Sequence, residues 1–228
     1  MRLLGKLGLV FGGTSGIGAA VARAFAKEGA AVVAFGRRGA AGPVKRPEAG
    51  QVAVAQLDVT DEVAVKARFA ELPVPDLVVC AAGTGTFGPI HTATVDDLRA
   101  MLDTHVVGTF VCAREAFRRM QPVRRGHILA IASVAAERAF PECAGYTAAK
   151  AGQRGLMRVL TEEARPYDIR VTTVLAGATD TPIWDDRPGF DRSKMMQPDD
   201  VAGMIVAVVA RPAIAIDELT ITPPAGSL

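Results

Sequence analysis

LGLVFGGTSGIG, residues 7–18, is an apolar run that breaks into glycines and continues into alanine-rich sequence. Residues 7–11 read as a buried strand, Gly12 to Gly18 as a tight turn, and 17–28 as a helix. A second apolar run, AVVAF at 31–35, follows at once. Strand, helix and strand at so short a period predict a βαβ unit, and therefore a parallel sheet.

The turn itself carries chemistry. Gly12, Gly16 and Gly18 permit a sharp bend and a close backbone approach to a pyrophosphate, and Gly13 adds a further glycine. The helix that begins there offers unpaired N–H groups and the positive end of its dipole. Thr14, Ser15 and Ile17 supply the remaining wall, with Ile17 expected to pack inward. No lysine follows the last glycine, which argues against a Walker A site.

Further along the chain the same alternation continues. Strands are expected at 51–57, 76–80, 127–132, 169–175 and around 216–221, and helices at 61–71, 95–120, 145–165 and about 199–210. Thr60 is expected to cap the helix that begins at Asp61. The stretch GRRGAAGPVKRPEAG, 36–50, is too rich in glycine and proline for a full crossover helix. About seven strands and five or six helices, with no dividing linker, predict one α/β domain over residues 1–228. The expected architecture is a Rossmann-type, doubly wound parallel sheet in a three-layer sandwich.

Composition supports a buried core and excludes several classes. Of 228 residues, 50% are hydrophobic and 22% charged, and the formal net charge is only +2. Such a balance gives no reason to expect a nucleic-acid or membrane partner. Cys80, Cys112 and Cys143, with His91, His105 and His127, lack metal-ligand or disulfide-framework spacing, so no metal is expected. The N-terminus lacks a signal cleavage region, and the apolar run 201–210 is too short to span a bilayer. A cytoplasmic location is the expectation.

At the end of the second strand an acidic residue would hold the hydroxyls of an adenosine ribose. Gly36, Arg37 and Arg38 stand there instead. Arginine suits a 2′-phosphate, so NADP(H) is preferred and NAD(H) stays open. The bland alternative is a solvated surface pair. Asp58 and Val59 follow the third strand and offer a carboxylate and backbone contacts to an adenine, or else simply begin a helix. Ala81, Ala82 and Gly83 follow the fourth strand, where small residues let a cofactor pass close.

Tyr146 and Lys150 are four residues apart in YTAAK and share one helical face. Ser133 ends a strand, at the rim where open parallel sheets bind ligands. Reduction of a carbonyl needs a hydride donor and a proton donor at the carbonyl oxygen. A lysine ammonium, together with an oxidised nicotinamide, would favour the phenolate of Tyr146. A serine hydroxyl would hold the substrate oxygen.

These motifs, in this order, resemble the short-chain dehydrogenase/reductase family over nearly the whole chain. The matching pieces are FGGTSGIG at 11–18, Asp58-Val59, CAAG at 80–83, Ser133, YTAAK at 146–150 and LAGATDT at 175–181. The resemblance implies Tyr146 as acid/base, Lys150 as its pKa-lowering and ribose-binding partner, and Ser133 as substrate orienter. It also implies Gly177, Thr179 and Thr181 in the segment closing on the nicotinamide, and pairing of long helices into homodimers or homotetramers. The C-terminal IDELTITPPAG is similar to that of hydroxy-acid and serine dehydrogenases of the family.

Some positions depart from the family pattern. His105 stands where the family has a catalytic asparagine. The expectation is that it replaces that asparagine in a proton relay, with reduced or pH-sensitive activity; a helix histidine with no catalytic part is the alternative. Cys80-Ala81-Ala82-Gly83 replaces an asparagine-rich turn. The substrate wall is expected from Ala135, Glu137, Phe140, Cys143 and 182–196, with Trp184 and Phe190 as a lid and Asp185, Asp186 and Asp191 set among Arg187 and Arg192. The expected activity is NADP(H)-dependent interconversion of a small ketone or aldehyde and an alcohol. A weakened nucleotide sensor or scaffold of the same fold is the rival.

Overall fold

Strands buried on both faces are apolar throughout, with no alternation. The strands at the centre of this chain have that character. The computed structural model describes residues 1–185, 187 and 189–226. In chain order its strands are β1 (Leu7–Phe11), β2 (Ala31–Gly36), β3 (Val52–Gln56), β4 (Leu77–Cys80), β5 (Gly126–Ser133), β6 (Ile169–Ala176) and β7 (Glu218–Ile221). Every residue of β1, β2 and β4 is buried. The strands form one sheet in the order β3-β2-β1-β4-β5-β6-β7, and every neighbouring pair is parallel. The three-layer α/β sandwich expected from the sequence is the observed one.

The helices are α1 (Gly16–Lys27), α2 (Glu62–Ala70), α3 (Val95–Leu102), α4 (Gly108–Met120), α5 (Ala144–Ala164) and α6 (Pro198–Val209). Side chains along one strand point alternately to the two faces. Leu7, Leu9 and Phe11 therefore join a core with Val65 and Phe69 of α2, Val111 and Ala116 of α4, and Met157 of α5. Val10 joins the opposite core with Val21 and Phe25 of α1 and Ile205 of α6. Phe11 stacks between Phe35 and Phe69, at centroid distances of 5.0 and 5.4 Å.

Two expectations are corrected. The helix expected over 95–120 is interrupted at Asp103–Val107 by a π-helical turn that carries His105. The cap of α2 is Asp61, whose carboxylate accepts from the N–H of Ala64 at 2.9 Å, not Thr60. Thr60 is occupied elsewhere: its N–H and hydroxyl donate to Asp58 at 2.9 and 2.8 Å. The stretch 36–50 contains no helix, as its glycines and prolines dictate.

Connections leave β1 toward β2 and β3 on one side, and the chain returns to β4 on the other. Their divergence opens a crevice at the carboxyl ends of β1 and β4. Gly12 sits at that point with φ of +83°, and a Cβ there would lie 2.3 Å from the N atom of Ala82. Gly12→Ala is expected to lower unfolding stability by about 2–4 kcal/mol, through left-handed strain and overpacking. Urea denaturation of the two proteins measures the difference.

Candidate active site

One cleft of about 1380 Å³ occupies the crevice. Every catalytic and cofactor-binding position expected from the sequence lines it, from Gly12 in the glycine turn through Arg37 and Asp58 to Ser133, Tyr146, Lys150 and Thr181. The cleft has a glycine-turn end, an arginine end and a tyrosine end.

At the glycine turn, α1 begins with Ser15 as N-cap in an extended conformation, with no side-chain cap bond and no acidic residue in its first turn. Its first N–H groups and dipole end are thus free to meet an anion. A Cβ on Gly18 would lie 2.2 Å from the carbonyl oxygen of Gly12, so only glycine closes this turn. From the opposite wall Thr181 approaches: a Cβ on Gly16 would come within 3.2 Å of its methyl group. Turn and closing segment therefore form a narrow cradle suited to a pyrophosphate.

At the arginine end, Arg37 and Arg38 are exposed after β2. Asp58 is held below the ordinary carboxylate range, first by the N–H of Thr60, then by its hydroxyl and the charge of Arg37.

At the tyrosine end, Tyr146 and Lys150 lie one turn apart on α5, and Ser133 ends β5. The Ser133 hydroxyl accepts from the N–H of Ala135 at 3.1 Å and also bonds the Tyr146 phenol. Lys150 is buried. Its Nζ donates to the carbonyl of Ile131 at 2.8 Å and to Oε1 of Gln153 at 3.1 Å, while Nε2 of Gln153 donates to Thr109 at 2.8 Å. Burial pushes the phenol up to about 12 and the ammonium down to about 7. Desolvation dominates at the phenol; the bond from Ser133 and the charge of Arg187 pull against it, and the lowering expected from Lys150 is not among these influences. The chain alone holds a protonated phenol.

His105 is buried beside them, its ring edge-on to Tyr146 at a centroid distance of 5.5 Å. Its Nε2 lies 2.7 Å from the carbonyl oxygen of Thr84 and donates to it, which leaves Nδ1 as a buried acceptor without a protein partner among the described residues. Burial, then the Lys150 charge, pushes the imidazole down to about 3. The expected pH-sensitivity thus has no source in protonation of His105 near neutrality.

Ala135, Phe140, Cys143, Trp184 and Phe190 line the tyrosine end as expected. Trp184 and Phe190 pack together at 4.7 Å. Glu137 does not line the cleft; it pairs with Arg154. Asp185 pairs with Arg192, Asp191 caps the short helix of Arg192–Lys194, and Asp186 lies outside the described residues. Phe87, Gln153 and the placement of Arg187 were not anticipated from sequence: their contacts span distant segments with no motif between them. Among the described residues no cluster of metal-ligating groups occurs, and no helix is long and apolar enough to cross a membrane.

Comparisons with known proteins place these features among relatives. A family model described as short chain dehydrogenase matches residues 6–189. The chain is 36% identical over 201 residues to a 3beta-hydroxysteroid dehydrogenase of Mediterraneibacter gnavus, covering 84% of this chain and 72% of that one. It is 34% identical over 154 residues to the sepiapterin reductase of Chlorobaculum tepidum, covering 67% of this chain and 63% of the reductase, less than two thirds of the latter's length. Serine dehydrogenase from Escherichia coli superposes with a TM-score of 0.82 at 26% identity, over 97% of this chain and 100% of that one.

The low value for His105 has a consequence for stability. An unfolded histidine takes its proton near pH 6.5, whereas the folded one resists until about 3. Stability is thus retained above about pH 6.5 and lost as pH falls toward 3, with a slope approaching about 1.4 kcal/mol per pH unit from this residue. His127, also held near 3 by burial, adds to the same loss. Urea midpoints between pH 7 and 5 are expected to fall less in His105→Asn than in the native chain.

Proposed function

The chain belongs to the short-chain dehydrogenase family, and from that membership we propose that it interconverts a small ketone or aldehyde and its alcohol with NADP(H), Tyr146 acting as acid and base. An oxidoreductase activity on carbonyl or alcohol compounds follows from the family. The cofactor and the residue roles are the finer reading. One observation carries it: Ser133, Tyr146 and Lys150 meet at one end of a cleft whose other end is a glycine cradle flanked by arginines.

The glycine turn at Gly12–Gly18 and Arg37 would hold a reduced dinucleotide in this cleft, and it would supply the hydride for the carbonyl carbon. The residues of the chain do the rest. The Ser133 hydroxyl donates a hydrogen bond to the substrate oxygen and fixes it beside the phenol. Tyr146 gives its proton to that oxygen as negative charge develops there. Lys150, held by Ile131 and Gln153, keeps its ammonium within 5.7 Å of the Tyr146 ring and favours the phenolate left behind. In the alcohol-oxidising direction the phenolate takes the proton back.

Glycine and two arginines where β2 ends, with no carboxylate, support NADP(H) over NAD(H). Arg37 is the first choice for a 2′-phosphate, with Arg38 beside it. The domain, 1–228, is taken to act as one unit in the cytoplasm. Exposed Phe110 on α4 and exposed Val159 on α5 support association of two or four copies through these helices.

With NADPH and a panel of small aldehydes and ketones, consumption of NADPH is expected, and Tyr146→Phe is expected to lower it about a thousandfold. A folded variant with native turnover would refute the assignment. Arg37→Ala is expected to weaken NADPH binding about tenfold or more while leaving NADH binding unchanged. Calorimetric titration measures both, and equal losses for the two cofactors would remove the phosphate role of Arg37.

A further inference from the structure

The tyrosine end of the cleft carries a cation that the reaction described above does not use. Arg187 lines the cleft. Its guanidinium carbon lies 3.7 Å from the ring centroid of Phe87, 5.0 Å from that of Phe190 and 5.3 Å from that of Trp184. Phe87 in turn packs on Tyr146 at 5.3 Å, so the same ring touches both the guanidinium and Tyr146.

The partners of this group decide its meaning. Neighbouring Arg192 is consumed by Asp180 and Asp185. Lys150 is consumed by Ile131 and Gln153. No carboxylate and no hydrogen-bond acceptor engages the Arg187 side chain among the described residues. Aromatic rings attract a guanidinium through its flat face, but they accept none of its five in-plane N–H bonds. Those donors form a planar fork that matches a carboxylate with two parallel bonds. Among the described residues the carboxylates that line this side of the cleft are Glu142, exposed on the rim, and Asp103 near His105, and neither is bonded to Arg187. The positive charge of Arg187 is felt at the phenol, where it opposes the upward push of burial.

We propose that Arg187, clamped between Phe87, Trp184 and Phe190, is a specificity-determining residue that binds a carboxylate of the substrate, so that the enzyme acts on oxo acids and hydroxy acids rather than on neutral carbonyl compounds. This rests on the reading of Tyr146 as the proton donor. It places the carboxylate beside Phe87, a few bonds from the reacting carbon. The aromatic clamp holds the fork in place before the substrate arrives, which limits the ordering cost of binding. A neutral analogue would leave the guanidinium to water and gain nothing from it.

Pairs of probes that differ only in charge test the proposal: pyruvate, succinic semialdehyde and 4-carboxybenzaldehyde, each beside its methyl ester. Turnover with NADPH and calorimetric binding in the presence of NADP are measured for the full chain and for Arg187→Gln and Arg187→Lys. The native chain is expected to prefer at least one acid over its ester by about tenfold or more in kcat/KM and in Kd. Arg187→Gln is expected to bring that ratio to about one, and Arg187→Lys to restore part of it, since it keeps the charge and loses the fork. Turnover with no acid preference in any pair, or a preference that survives in Arg187→Gln, overturns the carboxylate site and leaves the oxidoreductase reading standing. Acid-selective binding without turnover overturns the oxidoreductase reading and leaves the site standing. Binding of no acid in any pair overturns the site as well.

Discussion

The parallel pairing of β1 with β4 is the constraint on which the rest depends. Parallel neighbours cannot be joined by a tight turn, so each strand is followed by a crossover that must pass over one face of the sheet. The crossovers after β1 and after β4 go to opposite sides, and the cleft lies between them at the carboxyl ends. Gly12 and Ala82 then meet with no room for a further carbon atom. That contact draws the glycine turn against the end of β4 and sets the floor of the cleft. The position of α5, and with it Tyr146 and Lys150, follows from packing on β5 and β6 beside that gap.

Burial drives the two titrating groups at the tyrosine end in opposite directions for one reason: it penalises charge on both. The phenol becomes a weaker acid and the ammonium a stronger one. The chain answers with acceptors for Lys150 in the carbonyl of Ile131 and the amide of Gln153, itself anchored on Thr109. Such a bonded chain keeps a buried cation tolerable and fixes its position. His105 uses the same low-dielectric setting differently: it stays neutral, braces the segment at Thr84 through Nε2, and its bulk fits because Gly83 has no side chain to meet it.

Much of this is written locally in the chain. Strand–helix–strand periodicity at 7–35 dictates the parallel sheet, and the motif residues expected to bind cofactor or move a proton line the cleft, because such motifs sit at strand ends that the topology gathers on one edge. What escapes local reading is what depends on distant partners. Glu137 looks like a cleft residue until Arg154, from the facing helix, turns it away. Thr60 looks like a cap until Asp58 takes its hydroxyl and Asp61 takes the helix. Gln153 is an ordinary helix residue in sequence, and only the fold sets it under Lys150. Arg187 sits among acids in the chain, but the acids at 180 and 185 go to Arg192, and among the described residues Arg187 is left to the aromatic rings.

In the reaction proposed for this cleft, Tyr146 protonates the carbonyl oxygen as hydride passes from NADPH to the carbonyl carbon. The most direct measurement is single-turnover transfer of deuterium from NADPH labelled at the nicotinamide C4, with the product alcohol read by mass spectrometry. The native chain is predicted to place the label on the carbinol carbon, and Tyr146→Phe, binding the cofactor as tightly, to place almost none. Label transferred equally by both proteins, or cofactor bound with no label transferred to any carbonyl offered, would contradict the account.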